Sequence, residues 1–380
     1  MIRFTKSSIT ELEEKYVVDA LYNGLLSGDG KYTKAVYEQF KNRMGIERML
    51  LTTSGTTALE MASILIDLEP GDEVIAPSFT FSSTINAFIL RGAKPVFCDV
   101  DPKTMNMDAN LIEGLITPKT KAIYCVDYAG VPCDIDAINR IADKYGLFVI
   151  EDAAQAVGSK YKGEYCGTLT EFGCYSFHET KNYVMGEGGA IVVNEAKYMR
   201  RAEIIREKGT NRMELVRGEV DKYTWHDLGS SFLPSDVLAA ILYAQMERFD
   251  EIMEKRLTVW NTYQEMLQEV AKEGRVGLLT VPDYAEHNGH MFNIALPTTE
   301  LRTRFGDEMK KREIAAHICY VPLHSAPMGR KLSEQYGIKY DCPITEDYGS
   351  RVIRLPLHAG MTKDDAVKVA ENAIEVLRSF

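Results

Sequence analysis

The chain has 380 residues, of which 45% are hydrophobic and 26% are charged. This length and composition exclude a disordered chain as the default and favour a soluble protein with two domains. Its formal net charge of −11 argues against a broad binding surface for nucleic acid or an anionic membrane. The opening MIRFTKSSITELEEKY lacks the apolar core of a signal peptide, and no later apolar run is long enough to span a bilayer. We therefore expect a cytoplasmic protein without a membrane partner.

The seven cysteines are an odd number without any C-x-x-C pair, and the seven histidines form no H-x-x-x-H or His/Cys cluster. Spacings of this kind give no sign of a disulfide framework or a zinc site. We expect reduced, mostly buried cysteines and no metal.

From Arg48 onward, short apolar runs alternate with amphipathic stretches. The runs DEVIAP, KPVFCDV, KAIYCVDY and LFVIED are separated by the helical patterns TFSSTINAFILRG, MDANLIEGLI and DIDAINRIADKY. Such alternation is typical of a mainly parallel sheet covered by helices on both faces. The sequence thus predicts a large α/β domain.

A long helical tract follows GGAIVVN, near residues 234–270, and HMFNIAL, AAHICYV, RVIRLPL and a closing helix capped by Thr362 come after it. A tract of that length usually connects domains. We predict a large N-terminal α/β domain at residues 1–245 and a smaller C-terminal α+β domain at residues 246–380.

Three segments carry candidate chemistry. In TTSGTTALEMA, the stretch Ser54, Gly55, Thr56 and Thr57 precedes an apolar helix. Free N–H groups and hydroxyls at a helix start can bind a phosphate, although a plain N-cap explains the same residues.

The second segment, LFVIEDAAQ, places Glu151 and Asp152 at the carboxyl end of a strand, where ligands bind in open α/β sheets. An acidic residue there could bind a ribose, hold a metal, pair with a protonated ring nitrogen or cap the next helix. The segment alone leaves all four open.

The third segment, GCYSFHETKNYVMGEGGAIVVN, carries Lys181 in a loop between two apolar runs, together with Ser176 and His178. Most lysines are solvated charges, but one whose pKa is lowered by burial can form an imine.

Pyridoxal phosphate needs a phosphate cup, a carboxylate against its ring nitrogen and a lysine for its aldehyde. The 54–57 segment, Asp152 and Lys181 supply these groups in chain order. Phe81 in PSFTF is placed either to stack on the cofactor ring or to join the core. We therefore expect Lys181 to carry the cofactor as a Schiff base.

The motifs SGTTALEMA, PSFTF, EDAAQ, SFHETKN and GEGGA occur in the order seen in the DegT-type sugar-nucleotide aminotransferases, and SGDGKYTK, SDVLAA, PLH and LPLH extend this resemblance over essentially the whole chain. The resemblance implies the fold of pyridoxal-phosphate-dependent transferases, with a mainly parallel seven-stranded sheet. It also implies a homodimer with active sites at the subunit interface. Relatives with histidine in place of Lys181 are dehydratases, so Lys181 favours transamination.

The resemblance also assigns residues. It implies that Lys181 is the covalent anchor and proton carrier, that Asp152 pairs with the ring nitrogen, and that Gln155 lies near the ring hydroxyl. The implied phosphate and ring contacts are Gly55, Thr56, Ser176 and Phe81. In many relatives an asparagine reaches the neighbouring subunit's phosphate; here Ser231 stands in its place.

The segments SFHETKNY, REKGTNR and KYTW followed by GSS are most similar to the members that aminate dTDP-4-dehydro-6-deoxy-D-glucose at C4. The implied partners are this nucleotide sugar and L-glutamate, with pyridoxamine phosphate as the aminated cofactor form. Candidate substrate contacts are Tyr183, Lys208, Asn211, Arg212, Tyr223, Tyr320 and His324. Among them we prefer Arg212 for a nucleotide phosphate, because its planar fork suits that group.

Two other classes compete. A nucleotide-binding regulatory module would explain the phosphate cup but would leave Lys181 without a role. A dinucleotide oxidoreductase is disfavoured because no G-x-G-x-x-G follows a strand and opens a helix.

Overall fold

The structure is a computed structural model and describes residues 1–380, except for the side chain of residue 23. Its helices are α1 (Glu11–Asn23), α2 (Lys31–Met44), α3 (Gly55–Leu65), α4 (Ser82–Ile89), α5 (Ala109–Ile112), α6 (Ile135–Tyr145), α7 (Met199–Arg206), α8 (Arg212–Val216), α9 (Asp236–Glu247), α10 (Phe249–Lys272), α11 (Thr299–Lys311), α12 (Pro327–Tyr336), α13 (Pro343–Arg351) and α14 (Lys363–Arg378). Its strands are β1 (Met49–Thr52), β2 (Glu73–Pro77), β3 (Lys94–Cys98), β4 (Thr120–Val126), β5 (Phe148–Asp152), β6 (Lys160–Tyr161), β7 (Glu164–Tyr165), β8 (Phe172–Ser176), β9 (Gly189–Val193), β10 (Gly277–Leu278), β11 (Ala285–Glu286), β12 (Phe292–Ala295), β13 (His317–Ile318) and β14 (Val352–Leu355).

The large sheet has seven strands in the order β1-β9-β8-β5-β4-β2-β3. The strands β3, β2, β4, β5 and β8 are parallel, whereas β9 is antiparallel to both of its neighbours, β1 and β8. Most of these strands are buried along their whole length, as expected of a sheet with helices on both faces. This arrangement confirms the expected mainly parallel α/β sheet.

Because the parallel strands run in one direction, their carboxyl ends meet at one edge of the sheet. The segment after β2, the end of β5 and the loop after β8 therefore lie together. Strand β1 also ends at this edge, since it is antiparallel to β9. The three chemical segments of the sequence are brought to one place by this topology.

The smaller sheet is antiparallel, with the order β10-β12-β14-β13. One face of it packs on α10, α11 and α14 through an apolar cluster that includes Tyr263, Phe292, Ile353 and Val369. The other face is directed towards the large sheet, where Val352 packs with Phe79 and Tyr128.

The long helical tract expected near residues 234–270 is not one helix: α9 ends at Glu247 and α10 begins at Phe249. Arg248 between them has φ −100° and ψ 18°, and its guanidinium donates to the carbonyl of Ser8. The bend lets Phe249 stack on Tyr183 with ring centroids 4.5 Å apart. Helix α9 and the start of α10, with Phe249 and Ile252, pack in the core of the large-sheet part, whereas the rest of α10 packs on the small sheet. The division near residue 245 stays a prediction. Among the described residues, no helix combines the length and apolarity needed to cross a membrane.

Candidate active site

The first part of the site is a cup formed by the starts of α3 and α4. Ser54 caps α3 by accepting a hydrogen bond from the N–H of Thr57, and α4 begins without a side-chain cap. The first N–H groups of a helix have no intrahelical partner. The hydroxyls of Thr56 and Ser83 lie 2.7 Å apart and join the two helix starts. The cup thus offers backbone donors, hydroxyls and the positive ends of two helix dipoles to an anion.

Close backbone packing shapes this cup. A Cβ at Gly55 would lie 2.8 Å from the Cβ of Ser176 at the end of β8. A Cβ at Gly189 would lie 2.4 Å from the backbone nitrogen of Gly55. Glycine at both positions lets α3 approach β8 and β9, and it places Ser176 beside the helix start. The phosphate contact that the family resemblance implies for Ser176 stays a prediction.

Strand alternation separates the two acidic residues at the end of β5. Asp152 is buried on the side of the cup, where its Oδ2 accepts a 2.7 Å hydrogen bond from the hydroxyl of Thr84 in α4. Burial raises the pKa of Asp152, whereas the Thr84 hydroxyl and the charge of Lys181 lower it and favour the carboxylate.

Glu151 lies on the opposite face of the sheet and accepts hydrogen bonds from the N–H groups of Gly167 and Leu169. It lies beside Asp127, and burial raises the pKa of Asp127 to about 6 and that of Glu151 well above its ordinary value. Of the two candidates, only Asp152 is directed towards the cup.

Lys181 lies in the loop between β8 and β9, where its N–H donates to the carbonyl of His178. Loss of hydration lowers its pKa from 10.5 to about 8; the charge of Asp152 opposes this effect and that of Arg354 adds to it. An amine with this pKa is neutral in an appreciable fraction near pH 7, as a nucleophile or proton carrier requires.

A buried polar pair fixes the residue next to Lys181. The side-chain oxygen of Asn182 lies 2.9 Å from Nδ1 of His290, and its Nδ2 donates to the carbonyl of Asn288. Burial lowers the pKa of His290 well below its ordinary value, so this imidazole is neutral. The pair anchors the Lys181 loop to the segment before β12.

Gln155 connects the large-sheet part to the small one. Its side-chain oxygen accepts a 2.8 Å hydrogen bond from the N–H of Ala129, and its Nε2 donates to the hydroxyl of Tyr320 over 3.0 Å. The Tyr320 ring lies 6.2 Å from that of Phe81, which is 58% exposed at the start of α4. Phe81 is therefore accessible to a ligand and is not a core aromatic.

The other candidate substrate contacts divide into two groups. Tyr183 is buried in the core and its hydroxyl donates to the carbonyl of Phe249, so the structure contradicts its expected place at the mouth of the site. Asn211 is also buried, where it donates to Glu214 and accepts from Thr224, and it has a structural role. The partner of Tyr183 lies far along the chain, and Glu214 lies in the turn after Asn211. The spacing of residues in the sequence does not reveal either pairing.

Lys208, Arg212 and Tyr223 keep polar side-chain atoms near the surface, whereas the side chain of His324 is only 9% exposed. Lys208 and Arg212 both pair with the buried carboxylate of Glu207, and Tyr223 is 50% exposed. His324 is held by Ser78, whose hydroxyl lies 2.7 Å from Nδ1, and by Glu346 at Nε2. Burial lowers the pKa of His324.

Ser231 lies in the exposed segment before α9 and forms a backbone bridge with Glu207. The carbonyl of the next residue, Phe232, accepts from the N–H of Thr53, immediately before the cup. No hydrogen bond from the Ser231 hydroxyl to the cup of its own chain is found among the described residues.

Sequence reasoning missed Ser83, Thr84, His290 and Arg354. Thr84 follows Thr80 by one helical turn, and the two hydroxyls lie 2.8 Å apart. A polar stripe on an otherwise apolar helix was the available signal for Thr84. An isolated arginine inside the apolar run RVIRLPL was the signal for Arg354.

The assembled groups fit pyridoxal phosphate. The two helix starts match its phosphate, buried Asp152 matches its ring nitrogen, and Lys181 has the lowered pKa that attachment of an aldehyde requires. The exposed Phe81 ring and one N–H of Gln155 are available to the ring face and the ring hydroxyl.

Comparison with known proteins agrees with this chemistry. The DegT/DnrJ/EryC1/StrS aminotransferase family matches residues 7–374. GDP-perosamine synthase of Escherichia coli O157:H7 is 32% identical over 97% of this chain and 96% of its own length. The dTDP-4-dehydro-2,3,6-trideoxy-D-glucose 4-aminotransferase of Saccharopolyspora spinosa is 31% identical over 90% of this chain and 89% of its own.

The fold has a solved counterpart in Spr1654 from Streptococcus pneumoniae, whose structure was determined in the PMP form. The two chains superpose with a TM-score of 0.91 at 24% identity, over 100% of both. At this identity the likeness shows the fold.

Proposed function

The chain belongs to the DegT/DnrJ/EryC1/StrS aminotransferase family, and from this premise we propose that it aminates C4 of a nucleotide-linked 4-keto-6-deoxy sugar with L-glutamate as donor. Its cofactor is pyridoxal 5′-phosphate, with pyridoxamine 5′-phosphate as the aminated form. The observation that carries the proposal is the convergence of Lys181, Asp152 and the two helix starts at one edge of the large sheet.

The cofactor supplies an electrophilic aldehyde and a ring that accepts electrons. Asp152, desolvated and held by Thr84, keeps a proton on the ring nitrogen. The Nζ of Lys181, once released from covalent attachment, removes a proton from the α carbon of the donor and later delivers one to the sugar carbon. The pKa of about 8 suits both directions of transfer near neutral pH.

For the sugar, we propose dTDP-4-dehydro-6-deoxy-D-glucose as substrate and dTDP-4-amino-4,6-dideoxy-D-galactose as product, for cell-surface polysaccharide of the O-antigen or enterobacterial common antigen type. Two features support this: the similarity of SFHETKNY and REKGTNR to enzymes of that activity, and a relative whose name specifies 4-amination of a dTDP sugar. The gluco epimer and a 3-amino sugar are the alternative products.

A GDP-linked ketosugar is the second candidate, because proteins named GDP-perosamine synthase are among the relatives at 32% identity. The two candidate substrates differ in the nucleotide that carries the ketosugar, dTDP or GDP. We place Arg212 at a nucleotide phosphate, since its guanidinium is partly exposed and its salt bridge to Glu207 is long, at 3.4 Å.

We also propose a homodimer in which Ser231 faces the partner's phosphate cup. Large apolar side chains near it are exposed: Trp225 is 78% exposed, Leu228 52% and Tyr223 50%. Apolar surface of this kind commonly marks an interface. Sedimentation equilibrium should give about twice the 42.7 kDa chain mass, and a mass of one chain would contradict the dimer.

The activity test supplies the purified holoenzyme with L-glutamate and, separately, the dTDP- and GDP-linked 4-ketosugars and a dTDP-linked 3-ketosugar. NMR of the product locates the new amine and distinguishes axial from equatorial attachment. Preferential amination of the dTDP 4-ketosugar supports the proposal; preference for the GDP sugar or for C3 overturns the substrate. Absence of 2-oxoglutarate formation with every sugar overturns the transamination itself.

A further inference from the structure

Residues 288–290 form a loop before β12, the 288–290 loop, that contacts two separate parts of the site. Asn288 is buried, and its Nδ2 donates to the backbone carbonyl of Gln155 over 2.8 Å. Its own carbonyl accepts a 3.0 Å hydrogen bond from Nδ2 of Asn182, the residue after Lys181. One loop therefore holds the backbone beside Lys181 and the backbone of Gln155.

The third residue of this loop, His290, adds a bond of defined direction. Because Nδ2 of Asn182 donates to a carbonyl, its Oδ1 is left as the acceptor for Nδ1 of His290, 2.9 Å away. Burial and nearby positive charges lower the pKa of His290 well below its ordinary value, so the ring is neutral. Its Nδ1 then carries the proton and donates to Asn182.

A buried arginine of α10 holds the same loop from the other side. Arg256 is 4% exposed, and its Nε and one terminal nitrogen donate to the carbonyls of Gly289 and His290 over 3.1 and 2.6 Å. Burial lowers the pKa of Arg256 to about 10, and no carboxylate of the described residues lies within salt-bridge distance of it. A buried charge without an ionic partner is unfavourable for folding. Stability alone therefore does not explain an arginine here.

Close backbone packing keeps the loop on α10. Gly289 has a φ of +61°, in the left-handed region that favours glycine. A Cβ at Gly289 would lie 3.2 Å from the carbonyl carbon of Arg256. The same helix carries Phe249, whose ring stacks on Tyr183, two residues after Lys181. Helix α10 thus supports the Lys181 loop directly and through the 288–290 loop.

We propose that Arg256 is a positioning residue, which acts through the 288–290 loop to keep Nζ of Lys181 and the side chain of Gln155 in a fixed relation to each other. A proton carrier depends strongly on its position, because a displacement of about 1 Å can cost about 100-fold in rate. The inference rests on the roles proposed above for Lys181 and Gln155.

Two variants of Arg256 test it, together with a matched control. Arg256→Met removes the charge and both donors, whereas Arg256→Lys keeps the charge and a donor without the planar fork. Arg275→Met is the control, because Arg275 also donates to two backbone oxygens, those of Leu377 and Phe380, but lies beyond the far end of α10.

Two variants of His290 test the route through the loop. His290→Leu removes the donor to Asn182, whereas His290→Asn keeps an N–H donor near the place of Nδ1. If both residues act through one loop, the double variant Arg256→Met/His290→Leu should be no slower than the slower of the two single variants.

Melting temperature and visible absorbance show how much of each variant is folded with the cofactor attached, and rates are expressed per loaded enzyme. The half-reaction with L-glutamate should be about 10- to 100-fold slower in Arg256→Met, with a smaller loss in Arg256→Lys and His290→Asn. Glutamate deuterated at its α carbon should show a larger isotope effect than in the wild type, while KM should change by less than about threefold. Arg275→Met should behave as the wild type.

Hydrogen exchange of the holoenzyme, followed by mass spectrometry, gives a readout that does not depend on turnover. Peptides that contain Lys181 and Gln155 should exchange faster in Arg256→Met, because the bonds that hold their backbone are weakened. The same peptides should be unchanged in Arg275→Met.

A folded and loaded Arg256→Met enzyme with the wild-type rate and isotope effect overturns the proposal, even if its melting temperature falls. Equal slowing by Arg275→Met, or additive losses in the double variant, also overturns it. If Arg256→Met does not load, wild-type rates in both Arg256→Lys and His290→Leu overturn it. If the wild-type protein takes no amino group from glutamate, the proposed function fails, and unchanged hydrogen exchange in Arg256→Lys and His290→Leu then overturns the role of Arg256 separately.

Discussion

The hydroxyl of Thr84 donates a 2.7 Å hydrogen bond to Oδ2 of Asp152, and this bond connects helix α4 to the carboxyl end of β5. Because α4 also supplies Ser83 to the cup, one helix orients both the carboxylate that we propose for the ring nitrogen and the cup that we propose for the phosphate. A change in α4 therefore affects both ends of the cofactor.

Thr84→Val should keep the shape of this residue and remove the donor. Loss of a hydrogen bond to a charged group costs about 1.5–3 kcal/mol, so the rate should fall by about 10- to 100-fold while the cofactor remains attached to Lys181. Asp152→Asn should lower the rate further. Steady-state kinetics and cofactor absorbance check this, and a Thr84→Val enzyme with the wild-type rate would contradict a role for the bond.

Lys181→Ala should remove covalent attachment and lower turnover by about 100- to 10,000-fold, the range for loss of a positioned acid–base group. Borohydride treatment followed by peptide mass analysis should find the cofactor on Lys181 in the wild type and on no peptide of the variant. Lys160→Ala serves as control, since that lysine lies on β6 and pairs with Glu286. Retained transamination by Lys181→Ala would reject the assignment.

The pH dependence of cofactor capture reports the pKa of Lys181, which burial lowers from 10.5 to about 8. The neutral amine is the reactive form, so the rate should rise about tenfold per pH unit below 8 and level off above it. Between pH 8 and 10.5 the unfolded chain binds more protons at this site, so the stability of the cofactor-free chain should also rise with pH there. Stopped-flow absorbance measures this rate. A rate that levels off only near pH 10.5 would contradict the lowered pKa of Lys181.

Arg354→Met should shift the pH dependence of cofactor capture in one direction. The charge of Arg354 contributes to lowering the pKa of Lys181, so its removal should move the plateau to higher pH. Arg304→Met is the control, because Arg304 lies on the exposed surface of α11, and it should leave unchanged the pH at which the rate levels off.

Gly55→Ala should disturb the cup directly, because the new Cβ would lie 2.8 Å from Ser176 and 3.2 Å from the carbonyl of Tyr175. Overpacking of this kind costs about 1–3 kcal/mol, so cofactor affinity should fall by about tenfold or more. Gly114→Ala is the control, since its Cβ would meet no atom within 4 Å. Equilibrium dialysis and thermal melts measure the effect, and equal results for the two variants would show that the close approach is unimportant.

Much of the site followed from local sequence. Asp152 is the last residue of β5, and Lys181 and the 54–57 segment lie in the stretches that follow β8 and β1. A parallel sheet brings the carboxyl ends of its strands together, whatever lies between them in the sequence. The order of the motifs then identified the family, which the match over residues 7–374 confirmed. The choice between Glu151 and Asp152 also follows from strand alternation once one face is known to carry the site.

The tertiary structure decided the rest, because those contacts join residues far apart in the chain. The sequence predicts Tyr183 as a substrate contact, whereas its ring stacks on Phe249, and no local pattern encodes that pairing. The charge of Arg354 on β14 acts on Lys181 because the small sheet packs against the large one along the Val352 side. Sequence by itself determined which chemical groups reach the edge of the large sheet. The packing of the two sheets determined which further groups surround Lys181, since alternation fixes two faces of a strand but not what each face meets.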